Sequence, residues 1–408
     1  MLDQSRQPLA YRDHNCVQGR RRMLQSAAAV VGVSVLGLER TRGMALSSGT
    51  TGGTGSGERE QDSDNSTTLP FTNKMMGFML PHEQFPVPQL VDLGETAEKA
   101  GFDLLANSDH LQPWQSNEGH SGMAWVTMAA LGQRTKRVWM GPTVTCPTFR
   151  YNPAVVAEGF ASLNLLYPGR IFLGLGSGEA LNEQAAVGSW PKWQERNDRL
   201  IEATEIIRNL WKGQQVSHKG KYYEVNARLY DPPEKPIPLL MAANGPKAMR
   251  RAGQYADGLI TDGKTWKQYK SEFQSGAKAA GRDLSKTPVL IEQYVVVGDQ
   301  NEARAAAELW RFGPKAFKEY YNVRDPQTIQ QRADKEVPLE KVYEEWPVST
   351  NPNVHLKTVN ELFESGATIV NIHSGQADQK KVIDFYGKEV LPRLRSTLGR
   401  TDYGGKAA

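Results

Sequence analysis

His110 is the residue of this sequence best suited to moving a proton. It ends the segment Asn107-Ser108-Asp109-His110, and Trp114 follows shortly after. An imidazole titrates near neutral pH, so it can take a hydroxyl proton while hydride leaves the same carbon. A lone histidine is otherwise often a structural one bonded to loop backbone; a strand-end position beside an indole favours chemistry. Neighbours on a strand point to opposite faces, so Asp109 and His110 do not form a dyad. Asp109 suits a hydrogen bond to a cofactor or to nearby backbone. A second grouping is Gly174-Leu175-Gly176-Ser177-Gly178-Glu179. Its glycines let backbone approach a flat ring or a phosphate, although a tight turn uses the same residues. Glu179 beside them can stabilise or protonate a ring nitrogen. A third is Asn244-Gly245-Pro246, which heads a helical pattern. Free amides there suit a phosphate, or simply start a helix.

These residues need elements that bring them to one place. Eight short apolar or β-branched runs read as strands: Met75–Leu80, Asp103–Ser108, Val138–Val144, Ile171–Gly176, Pro238–Ala243, Gly258–Thr261, Val289–Val297 and Thr368–His373. Amphipathic stretches such as Gln89–Lys99, Pro153–Leu166 and Glu195–Trp211 lie between them. Leu90, Leu93 and Ala97 recur at helical spacing. Repeated strand–helix units imply a parallel sheet, and eight of them favour an α/β fold of the (β/α)8 TIM-barrel type. An open Rossmann sheet is the alternative, but no G-x-G-x-x-G opens a helix after the first strand. Active sites of barrels collect at the C-terminal strand ends, where the three groupings fall. Two longer excursions, Gln214–Pro236 and Glu302–Ser365, are expected to cover the mouth.

The chain of 408 residues suits one barrel with insertions, and 39% hydrophobic with 23% charged residues suits a globular core. The net charge is +4, with much of the excess in the first 42 residues. No basic stripe interleaved with aromatics suggests a nucleic-acid partner. Of two cysteines, Cys16 lies in the leader and Cys146 in the body, so the body forms no intrachain disulfide. No metal-ligand spacing such as H-E-x-x-H is present, and no metal is expected. Arg20-Arg21-Arg22-Met23-Leu24-Gln25, followed by the uncharged run Ala27–Leu38, is too short to span a bilayer. It has the charge–apolar–small order of a targeting segment and resembles a twin-arginine (Tat) signal; the alternative is a helix packed on the body. The expected organisation is therefore a signal segment over residues 1–45, a flexible Gly/Ser/Thr linker over 46–70 and a barrel over 71–400. Export to the cell envelope or periplasm by the Tat machinery follows from that leader.

Three segments together carry a resemblance: Ser108–Trp114, Pro147-Thr148-Phe149-Arg150-Tyr151-Asn152-Pro153 and Gly176–Glu183. They resemble the coenzyme F420-dependent dehydrogenases of the bacterial-luciferase-like superfamily, among them the glucose-6-phosphate dehydrogenases of actinobacteria. The likeness runs from Met75 to near the C-terminus and is tightest through Lys264. It implies a deazaflavin cofactor, F420, that accepts hydride at C5. It makes His110 the general base, Trp114 a residue that positions the reacting groups, and Glu179 the group that stabilises or protonates the reduced ring. Glu83 matches another active-site carboxylate. Asp109, Thr143, Val144, Cys146, Glu179, Asn182, Asn244 and Gly245 fall where the family holds cofactor. Cys146 stands where Thr is common, and the Thr143–Val144 link matches a bond that is cis in the family. Thr261 and Lys264 match half of the sugar-phosphate grip. Its other half falls near Tyr320 and Glu345, where a phenol and a carboxylate replace two cations. Glucose 6-phosphate is therefore a poor fit, unless Lys315 or Lys318 substitutes.

Members with an export leader of this kind oxidise hydroxymycolic acid, a very long secondary alcohol, to ketomycolic acid. That resemblance implies oxidation of a lipid alcohol in the cell envelope. Alternatives are an F420-dependent sugar, sugar-phosphate or small-alcohol dehydrogenase, and an F420H2-dependent reductase. An FMN-dependent monooxygenase and a non-catalytic F420 carrier are further options. Family members are often homodimers.

Overall fold

The computed structural model describes Phe71 and residues 74–398. The signal and linker segments lie outside the described residues. Eight parallel strands form the body: β1 (Met75–Leu80), β2 (Leu104–Asn107), β3 (Trp139–Pro142), β4 (Leu173–Leu175), β7 (Leu239–Ala242), β8 (Gly258–Asp262), β9 (Val289–Tyr294) and β10 (Ile369–His373). Two more, β5 (Val216–Lys219) and β6 (Glu224–Ala227), pair antiparallel as a separate hairpin. The order of the large sheet is β3-β2-β1-β10-β9-β8-β7-β4. The parallel bridge Met140↔Ile171 joins its two ends and closes the barrel.

Alternation along the strands sorts the core into two layers. On β1, Met75 and Met79 point into the barrel with Leu104, Phe172, Leu290 and Ile369. Met76, Phe78 and Leu80 point out against the helices. Each fully buried Leu, Ile or Phe contributes about 1.5–3 kcal/mol of transfer free energy, so this double layer is the main source of stability. Phe71 packs on Trp139 and Phe172 at 4.7 and 5.3 Å between ring centres and plugs the end remote from the site. The closing seam depends on glycine. A Cβ on Gly141 would lie 2.5 Å from the Phe172 carbonyl oxygen, and one on Gly174 would lie 2.2 Å from that of Pro142.

Between the strands run α1 (Val87–Ala100), α2 (Ala124–Arg134), α3 (Pro153–Leu166), α4 (Glu183–Val187), α5 (Trp193–Leu210), α6 (Pro246–Tyr255) and α7 (Gly263–Ala279). Leu90, Leu93 and Ala97 of α1 are buried, as their spacing predicts, and Gly101 ends the helix in the left-handed region at φ 104°. After β9 the chain makes α8 (Gln300–Leu309), α9 (Pro326–Glu336), α10 (Leu339–Val342) and α11 (Pro352–Glu364), and after β10 come α12 (Gln379–Phe385) and α13 (Leu391–Thr397). Asp299 and Glu302 form a reciprocal capping box that starts α8.

The two excursions behave differently. The stretch from α8 to α10 packs its own apolar cluster, including Phe312, Tyr320 and Val342, against Trp114 and Leu181 of the mouth. It is a cap, as expected. The β5–β6 hairpin is not a cover. It lies along α5, where Glu202 accepts the Tyr222 and Tyr223 amides and pairs with His218 at 3.1 Å. Its Tyr223 hydroxyl reaches the loop after β3, donating to the Thr148 carbonyl at 3.0 Å.

Candidate active site

The turn after β1 and the loop after β2 meet at the mouth. Ser108 Oγ donates to Glu83 Oε2 at 2.6 Å and accepts the His82 amide at 2.9 Å. The His120 amide donates to the Glu83 carbonyl at 2.9 Å. So held, Glu83 is 1% exposed, and its Oε1 lies 2.8 Å from His110 Nδ1. The approach is bent away from a straight hydrogen bond. Such contacts commonly straighten only with substrate in place. Burial disfavours the Glu83 carboxylate, but the charge and hydrogen bond of His110 outweigh it and hold the group down to about 2. Burial likewise disfavours the His110 imidazolium; the Glu83 charge and hydrogen bond, helped by Glu179, outweigh it and raise the His110 pKa above the ordinary histidine value. Glu83 thus fixes the ring and stabilises its protonated form, leaving Nε2 for a substrate hydroxyl.

Trp114 lies edge-on to His110 with ring centres 6.0 Å apart. Its indole stacks on Phe312 of the cap at 4.7 Å and meets Phe317 edge-on at 5.9 Å. Asn182 links the acid on the other side to this loop: its Oδ1 accepts the Leu111 amide at 2.8 Å while its Nδ2 donates to Glu179 Oε2 at 3.2 Å.

The ends of β3 and β4 form a backbone wall. The Thr143–Val144 peptide bond is cis. Gly176 faces it so closely that a Cβ would lie 2.4 Å from Val144 Cγ2. Gly178, at φ 76°, packs beside Cys146, whose Sγ would sit 2.8 Å from an added Cβ. Cys146 is buried, and burial first, then the Glu183 charge, pushes its thiol well above its usual pKa, while its Sγ lies 3.1 Å from the Thr148 hydroxyl. Next to β4, the paired strand β7 leads into Asn244 and Gly245, which precede α6, and the space in front of Gly245 is open. Thr143, Val144, Ser177 and Glu179 are partly exposed in otherwise buried strand ends, Asn244 is exposed, and Gly245 is partly so. A wall with no room for added side chains, beside an open helix start, suits a flat ring with an anionic tail.

Asp109 is placed behind this wall. Its carboxylate accepts the Thr145 hydroxyl at 2.6 Å, Arg150 at 3.1 Å and the Tyr151 hydroxyl at 3.2 Å. Arg150 also donates its backbone amide to Glu183 at 2.8 Å. Burial pushes the Glu183 carboxyl up to about 7. Arg150, Tyr151 and Glu183 join Asp109 in a partly buried network that residue types alone do not single out. Arg150 and Glu183 stand inside the segments that carry the family resemblance, which was the available signal. Thr261 Oγ1 donates to the Ala243 carbonyl at 2.8 Å. Lys264, exposed, pairs with Glu345 at 2.8 Å. Tyr320 is fully buried and donates its hydroxyl to Glu336 at 3.1 Å.

A closed eight-stranded barrel with a histidine–glutamate pair and a glycine-walled cradle at its C-terminal mouth defines a class, and the family profile agrees. The chain belongs to the luciferase-like monooxygenase family, whose profile matches residues 70–379. Within it, the chain is 44% identical to the F420-dependent hydroxymycolic acid dehydrogenase of Mycobacterium tuberculosis, across 87% of this chain and 98% of that protein. It is 40% identical to the F420-dependent glucose-6-phosphate dehydrogenase of Gordonia bronchialis, across 78% and 97%. Among solved structures it resembles an F420-dependent secondary alcohol dehydrogenase in complex with an F420–acetone adduct, with a TM-score of 0.75, 33% identity, and 79% and 99% coverage.

Proposed function

We propose that this chain oxidises hydroxymycolic acid, or a lipid alcohol of the same kind, to the ketone in the cell envelope. The coarser reading is firm: the chain is an oxidoreductase that uses coenzyme F420 on a CH–OH group, as its dehydrogenase relatives do. When bound, F420 supplies the hydride acceptor at its ring carbon C5. Thr143, Val144, Cys146 and Gly176 would wall the ring, and Asn244 and Gly245 would face its tail. His110 takes the substrate hydroxyl proton at Nε2. Glu83 stabilises the imidazolium that forms and keeps Nδ1 as its partner. Trp114 bounds the substrate beside His110, and Asn182 keeps Glu179 turned into the site.

The observation that carries the lipid reading is the fate of the phosphate grip. Lys264 is paired with Glu345, and Tyr320 is buried on Glu336. Lys315 is also paired, with Glu336 at 3.0 Å. At the mouth the cap thus sets an exposed Phe317 beside the Trp114–Phe312 stack, and it pairs Lys315 with its own carboxylates. An apolar chain suits that surface; a phosphate does not. The leader of residues 1–45 supports export by the Tat route, which carries folded proteins and so a cofactor already bound. Lipid analysis of cells lacking the protein tests the reading. Hydroxymycolate should accumulate and ketomycolate should disappear; an unchanged lipid profile would favour a sugar or small-alcohol substrate.

A further inference from the structure

Glu118 is a buried carboxylic acid that the steps above do not use. It is 5% exposed, lies in the loop between Trp114 and His120, and its Oε1 has no partner. Its Oε2 accepts the Gln115 amide at 2.7 Å, and its own amide donates to the Gln115 carbonyl at 3.2 Å. Gln115 in turn reaches the cap: its Nε2 donates to the Glu308 carbonyl at 3.1 Å, and its Oε1 accepts the Phe312 amide at 2.7 Å. Phe312 is the ring stacked on Trp114. One carboxyl therefore stands at the root of both the loop that carries the indole and the tie that sets its stacking partner.

We propose that Glu118 is a positioning residue for Trp114, its buried carboxyl fixing the loop that carries the indole and, through Gln115, locking that loop to the cap. The proposal rests on the dehydrogenase reading for its kinetic consequences and on geometry alone for its structural ones.

Glu118 does this as a neutral acid. Burial pushes its carboxyl well above the ordinary range, and the Glu83 carboxylate pushes the same way. Two nearby carboxyls whose environments drive them apart take different protonation states: Glu83 stays ionised on His110, and Glu118 stays protonated. Among the described residues, the charged group that acts on it is the Glu83 carboxylate. Tyr294 of β9 faces both carboxyls and hydrogen-bonds Glu292, which holds His373 at 2.7 Å. At the end of α8, Arg311 is shared by Glu308 and Asp334. At alkaline pH, ionisation of Glu118 places a second, unpaired negative charge beside Glu83, and the loop must loosen to hydrate it.

Hydrogen exchange on the full purified chain reads the structural half. Residues 111–120 and 308–320 should loosen together as pH rises in the unsubstituted protein, and stay protected in Glu118→Gln. Independent loosening of the two segments, or the same loosening in Glu118→Gln, would overturn the proposal. The kinetic half uses hydroxymycolic acid and F420. Glu118→Ala should lower kcat/KM about 10²-fold, chiefly through kcat, because a misplaced positioning group costs about that much. In a Trp114→Ala background the same change should cost less than about threefold, the non-additivity of residues acting as one unit. Glu118→Gln should recover turnover to within about threefold while losing the alkaline fall in kcat/KM. Full additivity with Trp114→Ala, or an alkaline limb shared by the unsubstituted protein and Glu118→Gln, would overturn the assignment. A chain that oxidises no alcohol at all would instead remove the dehydrogenase reading, and the exchange measurement would still decide for or against Glu118.

Discussion

The two sides of the barrel mouth are built by opposite means. The wall from β3 and β4 is backbone: a cis peptide bond, glycines with no room for a Cβ, and a partly buried Asp109–Arg150–Glu183 network behind them. The cap from α8 to α10 is side chain: aromatic rings facing Trp114, with Arg304, Lys315 and Arg332 paired to its own carboxylates. A backbone wall admits few sequence solutions, so it suits a cofactor that does not change. A side-chain cap can be rewritten residue by residue, so it suits a substrate that does. His110 and Glu83 stand between the two and serve both.

Breaking the centre should cost most. His110→Ala should lower kcat by roughly 10²–10⁴-fold while F420 binding, followed by fluorescence titration, persists. Unchanged turnover would remove the base from its role. Glu83→Gln should cost about 10–10²-fold in kcat and should also shift the acid limb of kcat/KM. The sign follows from the pair: the base works when neutral, and Glu83 raises the His110 pKa, so the limb lies above that of an ordinary histidine. Without Glu83, burial dominates and the limb moves to lower pH. A limb that stays in place would show that the two groups do not share a charge.

Next comes the wall. Gly174→Ala forces a Cβ to 2.2 Å from the Pro142 carbonyl oxygen. It should destabilise the fold by about 1–3 kcal/mol and weaken F420 binding. Thermal unfolding and titration read the two effects. A stable protein with full cofactor affinity would show that the seam is not tight.

The cap should yield the smallest change. Lys264 and Glu345 are both well exposed, so Glu345→Ala should alter stability by less than about 1 kcal/mol in thermal unfolding. A larger loss would mean that the pair anchors the cap.

Much of this contrast was legible in the residues themselves. All eight barrel strands were readable, because short β-branched runs bounded by turn residues have few other uses. Met75–Leu80 has the bounds its residues suggest and Gly258–Thr261 falls one residue short, whereas the other six run one to three residues too long at an end, as for Val138–Val144 against Trp139–Pro142, since strand ends bend into loops without changing composition. The hairpin of β5 and β6 went unread because its strands are half exposed and polar, as in Val216–Lys219. His110 and Glu179 stand out by type and position, and Glu83 by the family resemblance. Glu118 was not: a single acid in an irregular loop has no periodicity, and only its burial marks it. The resemblance places Asp109 among the cofactor-holding positions, and in the structure its carboxylate is engaged by Thr145, Arg150 and Tyr151. It supports the cradle from behind.

The central claim is that this site moves hydride from a lipid alcohol to a deazaflavin. The most direct measurement mixes the purified protein with oxidised F420 and hydroxymycolic acid, with FMN in a parallel sample, and follows the cofactor absorbance and the lipid product. The expected result is reduction of F420 with formation of the ketone, and no binding of FMN. Tight binding of FMN without binding of F420, or F420 left oxidised in the presence of the alcohol, would contradict the account.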